Sequence, residues 1–562
     1  MSAVRISSLD EWQSHIPQLR VAGIIAIRLE TSGDDPHADR IRSVVLAAKD
    51  CPTLVIDAEV FSKRNVKLIR EILSTSAVKV FHDAKADLQF LLALGILPKP
   101  LFDASVAAQL LSLSNDSDEY SLRALCQKYL GDHNDSTPDD IHDAQKLLRL
   151  REAMVPLLYQ NGLAKVAEIE FQCVRAVAHI EYHGIHLNQT KWQKLCEQTE
   201  AKRDEVSKRL YAYTGTPAVQ RTFWGEDVLH GPNFDSNAFV LKLLQDNNIP
   251  VTGTSKWDLA PHRDHPLVQM LKEYRKASKS LSAFLHPLPE LIHPVTKRLH
   301  PQYGQLVTHS GRMSSWNPNI QQIPRAKAFR ECFTAPSGRR LIIADYSQIE
   351  LRVAAQVSGD ERMCSAFQEG KDLHLLTASY IANKPMELVS KQERQAYKAV
   401  NLGFIYGMGA KGLQTAADMS YSIAMSLEDA TLFRRRFFDT YQGIARWHRD
   451  VMKTPSAEGR TLTGRRVMFR KNAGLPERSN LPVQGTAADI IKKTLALLVD
   501  RIDSETKIVA VVHDEILIEC PKSQAEQAAA ILKSSMEDAV NSILPDVPTT
   551  VEPVISSSWA EK

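Results

Sequence analysis

Two carboxylates stand at rigid edges of this sequence. Arg340, Leu341, Ile342, Ile343 and Ala344 form a run without helical spacing, which reads as a buried strand, and Asp345 closes it. Gln348, Glu350 and Arg352 then begin a polar, helix-compatible segment. Alone, an acid ending a strand is an ordinary turn residue. A second acid, Asp514, sits with His513 and Glu515 between Lys507–Val512 and Ile516–Glu519, a β-hairpin pattern with Asp514 at its tip. As a pair, Asp345 and Asp514 suit two Mg²⁺ ions about 3.5–4 Å apart, the arrangement used for in-line phosphoryl transfer. Mg²⁺ needs only one or two carboxylates beside substrate phosphates.

A cationic helix lies between the two acids in sequence. Ser390 and Glu393 form a Ser-x-x-Glu capping box, which predicts a helix starting at about Lys391. Arg394, Lys398, Leu402 and Tyr406 follow at four-residue spacing and share a slowly drifting face over about 18 Å. Two cations near one end and a ring near the other fit a triphosphate and a base; the pattern alone fits a salt-bridged surface helix equally well.

The segments DYSQIELR at 345–352, RQAYKAVNLGFIYG at 394–407 and VHDE at 512–515 resemble motifs A, B and C of the family A DNA polymerases, the polymerase I group, in the right order. Thr308–Ser315 with Pro318–Pro324 resembles that family's T-x-x-G-R-x-S-S and P-N-x-Q-x-I-P. The resemblance implies a template-directed DNA polymerase that adds dNTPs to a primer 3′-hydroxyl in replication or repair. Asp345, Asp514 and the Tyr346 carbonyl would hold two Mg²⁺ ions, with Mn²⁺ able to substitute, and Glu515 would assist. Arg394, Lys398 and His374 would grip the triphosphate, with Lys398 protonating the departing pyrophosphate. Tyr406 would stack near the templating base, Gln348 would line the nucleotide site, and Glu350 would crowd a ribose 2′-hydroxyl. Arg312 and Gln484 would read pair geometry through minor-groove acceptors that look alike for every correct pair. His513 would touch the primer terminus, Asn319 and Gln321 would contact DNA, and Lys279 would meet phosphates. Leu402 departs from the family's Phe or Tyr, which leaves the sugar without a planar neighbour. Arg478 lies two residues before Asn480, where the family has an Arg four before, and takes no role.

The expected architecture is mixed α/β and α+β: an RNase H-like exonuclease-type domain followed by a right-hand polymerase. The expected divisions are 1–155 exonuclease-like, 156–295 thumb and approach to the palm, 296–375 palm with motif A, 376–470 fingers and 471–562 palm with motif C. Residues 79–88 resemble the second motif of the 3′–5′ exonuclease domain, with Asp87 as metal ligand. Its first motif, Asp-x-Glu, stands here as Arg28-Leu29-Glu30, and the Tyr-x-x-x-Asp of its third as Asp139-x-x-x-Asp143. A guanidinium removes a ligand and adds positive charge where cations belong, so proofreading is expected to be lost and Glu30, Asp87 and Asp143 to be vestigial. No 5′-nuclease segment is expected ahead of residue 1.

Composition agrees. The 562 residues are 44% hydrophobic, and no apolar run approaches the ~18 residues of a membrane span. The seven cysteines show no CxxC spacing, which argues against a zinc or disulfide framework and for a cytoplasmic setting. The net charge of +3 divides unevenly: residues 1–155 hold 18 basic and 22 acidic residues, and the remainder 51 and 44. The basic excess thus falls where a polymerase meets the DNA backbone. Primer–template DNA and dNTPs are the expected partners of a monomeric enzyme without membrane attachment. Two other readings are a repair nuclease, disfavoured by Arg28, and a silent DNA binder, disfavoured by the intact Asp345, Asp514, Arg394 and Lys398.

Overall fold

In a computed structural model the described residues are 3–58, 66–112, 117–132, 140–215, 220–221, 227–228, 233–421, 425–453 and 456–561. The N-terminal sheet contains β1 (Ala3–Ile6), β2 (Ile24–Thr31), β3 (Ile41–Ala48), β4 (Thr53–Asp57), β5 (Val78–Phe81) and β6 (Leu101–Asp103), in the order β1-β4-β3-β2-β5-β6. The β2–β3–β4 meander is antiparallel, whereas β5 and β6 run parallel to β2. Apolar runs such as Val44–Ala48 bury both faces of this sheet under helices, as a sheet with parallel crossovers requires. Asp139, half of the expected third exonuclease motif, lies outside the described residues.

The Ala164–His183 helix fastens this domain to the rest. Val166, Ala167, Phe171, Val174 and Ala178 enter the N-terminal core, while Ile169, Cys173, Ala176, Val177 and Ile180 enter the main core. The sequence places this helix at 171–187; it starts earlier and stops at His183, because Gly184 takes φ 57° and Ile185 bridges to Leu299. A third, smaller core gathers Val206, Leu210, Phe234, Val240, Leu244 and Leu271 at the far end of the Gln189–Thr214 and Pro266–Ser280 helices.

The main core is built on a four-stranded antiparallel sheet in the order Lys507–Val512, Glu515–Pro521, Arg339–Asp345, Val554–Ser556. The helices Leu475–Arg501 and Ala525–Ile543 pack against each other in this core. Five further helices, Leu373–Ala382, Lys391–Ile405, Ala410–Tyr421, Leu427–Thr440 and Gln442–Lys453, add a helical layer that shares this core through Leu376, Phe404, Leu413, Phe437 and Ile444. The Ser390–Glu393 capping box forms as its spacing predicts, with Glu393 also 2.6 Å from Lys384 Nζ.

Candidate active site

Strand register brings the two acids together. Asp345 ends its strand opposite Glu515, and the Tyr346 amide donates to the Asp514 carbonyl at 3.3 Å. The carboxylates of residues 345 and 514 therefore sit at the same end of neighbouring strands. The Tyr346 side chain is buried, its hydroxyl donating to the Met536 carbonyl at 2.7 Å and meeting Thr494 Oγ1 at 2.6 Å. That anchor leaves the Tyr346 backbone as its contribution to the cleft. Gln348 and His513, next to the acids, adopt left-handed φ of 57° and 58°. For residues with a Cβ this costs of order 1–3 kcal/mol, a strain typical of functional sites.

The acids floor a cleft of about 800 Å³. Asp345, Tyr346, Gln348, Glu350, His374, Arg394, Lys398, Leu402, Arg312, Gln321, His513, Asp514 and Glu515 all line it. Four expected residues do not. Lys279 is exposed on the Pro266–Ser280 helix, and Gln484 precedes by one turn the Ala487 and Ala488 that reach the cleft. Asn319 accepts from the Gln321 amide at 3.1 Å and so caps a short helical turn. Tyr406 lies behind Glu350.

Several side chains are engaged in ways the sequence does not announce. Glu350 accepts from Arg312 through one oxygen and from the Tyr406 hydroxyl through the other. Arg394 is bidentate on Asp372 Oδ2, at 2.9 Å from Nε and 2.6 Å from Nη2. Burial pushes the Asp372 carboxyl up, but Arg394 and the Leu375 amide outweigh it and hold the group below the usual carboxylate range. Glu515 is buried and paired with Arg330 at 3.2 Å, and that guanidinium rests on Trp559, 4.3 Å from its ring centre. Arg352 donates to the Ser347 carbonyl at 2.9 Å and stacks on Phe367, with burial pulling its pKa down to about 10. It thereby braces the turn that follows Asp345.

His374 is buried, and burial and the nearby Arg394 and Lys398 hold its pKa down to about 4, so it is neutral at pH 7. Asn401 Nδ2 lies 2.9 Å from His374 Nδ1 and also donates to the Leu373 carbonyl at 3.4 Å. This orientation makes Nδ1 the acceptor and assigns the proton to Nε2, a neutral donor on the cleft wall. Asp372, Asn401 and Arg330 are the residues that sequence reasoning missed. The first two carried a signal: Asp372 is two residues before His374, at a helix N-cap, and Asn401 follows Lys398 by three.

A buried charge cluster lies beneath the loop that carries Arg312. Lys492 Nζ donates to Glu170 at 2.5 Å and to the Gln305 carbonyl at 2.7 Å. Arg465 pairs with Glu170 and, through Nε at 2.8 Å, with Asp489. Gly311 lies directly over Arg465: a Cβ there would be 2.7 Å from its Nε, and φ at Gly311 is 78°. The loop that presents Arg312 and the helix that carries Gln484 thus share one ionic footing. Spacing puts Lys272, Arg275, Lys276 and Lys279 on one charged face of the Pro266–Ser280 helix, but Arg275 leaves that face. It turns inward to the carbonyls of Phe234 at 3.2 Å and Thr254 at 3.4 Å.

In the N-terminal domain Arg28 and Glu30 alternate onto the same face of β2, and Glu30 accepts from Ser43 Oγ at 3.0 Å. Asp143 pairs with Lys146 at 3.2 Å. Asp87 lies on the Ala84–Ala93 helix, whose first amide is held by Asp103 at 2.7 Å.

Comparison with known families decides the class. Residues 242–561 match the model for DNA polymerase family A. The chain belongs to that family. Its residues 4–156 match the family of 3′-5′ exonuclease domains. This family A chain is 32% identical over 592 aligned positions to DNA polymerase I of Aquifex aeolicus, with 97% of each protein covered. It is 33% identical to the thermostable DNA polymerase I of Thermus filiformis, over 87% of this chain and 59% of that protein. The chain spans about half the length of the Thermus relatives it matches. Among solved structures, the POL domain of Pol1 from M. smegmatis, in complex with DNA primer-template and dNTP, shares the fold with a TM-score of 0.81 at 23% identity, over 99% of both chains. No helix among the described residues is long and apolar enough to cross a membrane.

Proposed function

We propose that the chain extends a primer 3′-hydroxyl with dNTPs on a DNA template, in replication or repair, with its proofreading lost. The observation that carries the reading is the strand register that sets Asp345 beside Asp514 under a cleft whose other wall bears Arg394, Lys398 and His374. The oxygen donors of this pair fit hard divalent cations, which favour carboxylates and carbonyls. Two Mg²⁺ ions, or Mn²⁺ in their place, supply activation of the primer hydroxyl and neutralisation of the leaving pyrophosphate when bound.

The remaining work belongs to side chains. Lys398 contacts the triphosphate and gives a proton to pyrophosphate as it leaves. Arg394 joins it by exchanging Asp372 for phosphate oxygens, and the neutral His374 donates from Nε2. Glu350 walls off a ribose 2′-hydroxyl. Arg312 trades Glu350 for the minor groove, joined there by Gln484 and, at the primer end, by His513. Glu515, neutralised by Arg330, shapes the floor beside the acids and does not compete with them for cations.

Loss of proofreading is supported by Arg28 standing beside Glu30 and by Asp143 already satisfied by Lys146. A labelled primer–template with Mg²⁺, resolved on a denaturing gel, tests both halves. Extension with dNTPs and an unchanged primer without them is expected. Shortening without dNTPs would show that Arg28 is tolerated, and an unchanged primer in both lanes would refute the polymerase reading.

A further inference from the structure

The Gln189–Thr214 helix belongs to two cores. Its first half, through Trp192 and Cys196, packs into the main core, and its second half, through Val206 and Leu210, into the small core of the thumb. The returning chain, Pro266–Ser280 followed by Leu281–Leu285, makes the same crossing in reverse. The two segments are fastened where they cross, by the Trp192 indole donating to the Leu285 carbonyl at 3.0 Å. One turn further along, three donors of different chemistry meet. Cys196 and Glu200, four residues apart, share a helix face, and His286 faces them from the end of the returning segment. One ligand atom from each lies within 4.8 Å of the other two, and His286 Nε2 is 2.9 Å from Glu200 Oε1.

We propose that Cys196, Glu200 and His286 form a site for a Zn²⁺-like transition-metal ion that clamps the base of the thumb. A sulfur, an imidazole nitrogen and a carboxylate oxygen are the donor set of borderline cations, not of Mg²⁺. Zinc bonds of about 2.3 Å to sulfur and 2.0–2.2 Å to nitrogen and oxygen give a tetrahedron with edges of roughly 3.3–3.7 Å. The observed spacing reaches that shape through small torsions of Glu200 and His286, which are 42% and 51% exposed. The same exposure leaves the fourth position to water and gives an ion a way in. Cys196 is 8% exposed and supplies the buried anchor. Binding replaces the thiol proton with the metal, so one proton is released. Because the ligands lie at 196, 200 and 286, no local cysteine spacing announces the site.

The competing description is a surface His286–Glu200 ion pair with the Cys196 thiol hydrogen-bonded to the same carboxylate. Co²⁺ titration of the full chain, with excess Mg²⁺ occupying the polymerase acids, distinguishes the two. A thiolate–Co²⁺ charge-transfer band saturating at one ion per chain is expected, displaced by Zn²⁺. The band should vanish in Cys196→Ser. In His286→Ala, an exposed substitution that spares the core, affinity should fall by more than the roughly 10–100-fold lost when a mere supporting residue of a metal ligand is removed. Zn²⁺ should raise the melting temperature of the natural chain and leave that of Cys196→Ser unchanged. No band in the natural chain, or a band that persists in Cys196→Ser, overturns the proposal.

Discussion

Lys492→Met tests whether the buried charge cluster supports the Arg312 loop and the Leu475–Arg501 helix. Lys492, Glu170, Arg465 and Asp489 are all buried, and two acids there balance two bases. Methionine keeps most of the lysine's volume but leaves Glu170 with one cation shared with Asp489, and leaves the Gln305 carbonyl without its donor. Breaking one partner of a buried ion set costs about 3–5 kcal/mol, roughly a thousandfold in a local opening equilibrium. The Glu170→Gln/Lys492→Met double variant restores neutrality around the Arg465–Asp489 pair. It should recover about 2 kcal/mol or more of that loss, a coupling expected only between direct partners. Hydrogen exchange read by mass spectrometry gives the local stability of the Leu475–Arg501 helix and the Glu458–Met468 hairpin. Their protection should fall about a thousandfold in Lys492→Met and largely return in the double variant. Burial raises the Glu170 carboxyl pKa, but Lys492 and Arg465 together bring it below the usual range. A depressed folded-state pKa gives stability that is present above the unfolded value, about 4.3, and lost as pH falls through the lower folded one. Protection in the natural chain should therefore decline below about pH 4, and this component should be absent from the double variant. A loss under tenfold in Lys492→Met, or a double variant no better than the single, would refute the reasoning.

Two further predictions concern the cleft. Gly311→Ala places a Cβ 2.7 Å from Arg465 Nε at a φ of 78°, a strain of order 1–3 kcal/mol that must displace the Arg312 loop. Primer–template affinity should weaken about tenfold with the dNTP KM little changed, which steady-state kinetics varying each substrate will show. Glu350→Ala removes the wall against a 2′-hydroxyl and frees both Arg312 and Tyr406. Ribonucleotide use relative to dNTP should rise roughly 10–200-fold, the range for one small group in a pocket, measured by single-nucleotide extension.

The sequence was most legible where one local rule governs the outcome. The apolar run ending on Asp345, the hairpin around Asp514 and the Ser390–Glu393 cap all form where their residues indicate. Spacing also predicted a shared face for Arg394, Lys398, Leu402 and Tyr406; the first three line one cleft, whereas Tyr406 lies outside its lining, bonded to Glu350. It could not show that Asp372 holds Arg394, or that Glu350 takes both Arg312 and Tyr406, because those partners are 22, 38 and 56 residues apart. Arg275 fits a charged helix face by spacing, yet carbonyls from Phe234 and Thr254 draw it inward. The start of the Ala164–His183 helix was obscured because its residues serve two cores on opposite sides, which blurs the single apolar stripe that marks a surface helix.

The most direct measurement is primer extension by Asp514→Asn, paired with its primer–template dissociation constant. Extension should fall at least about a thousandfold, as loss of a carboxylate ligand at a phosphoryl-transfer centre implies, while DNA affinity stays within a few-fold of the natural chain. Extension near the natural rate would contradict the placement of the chemistry at Asp345 and Asp514.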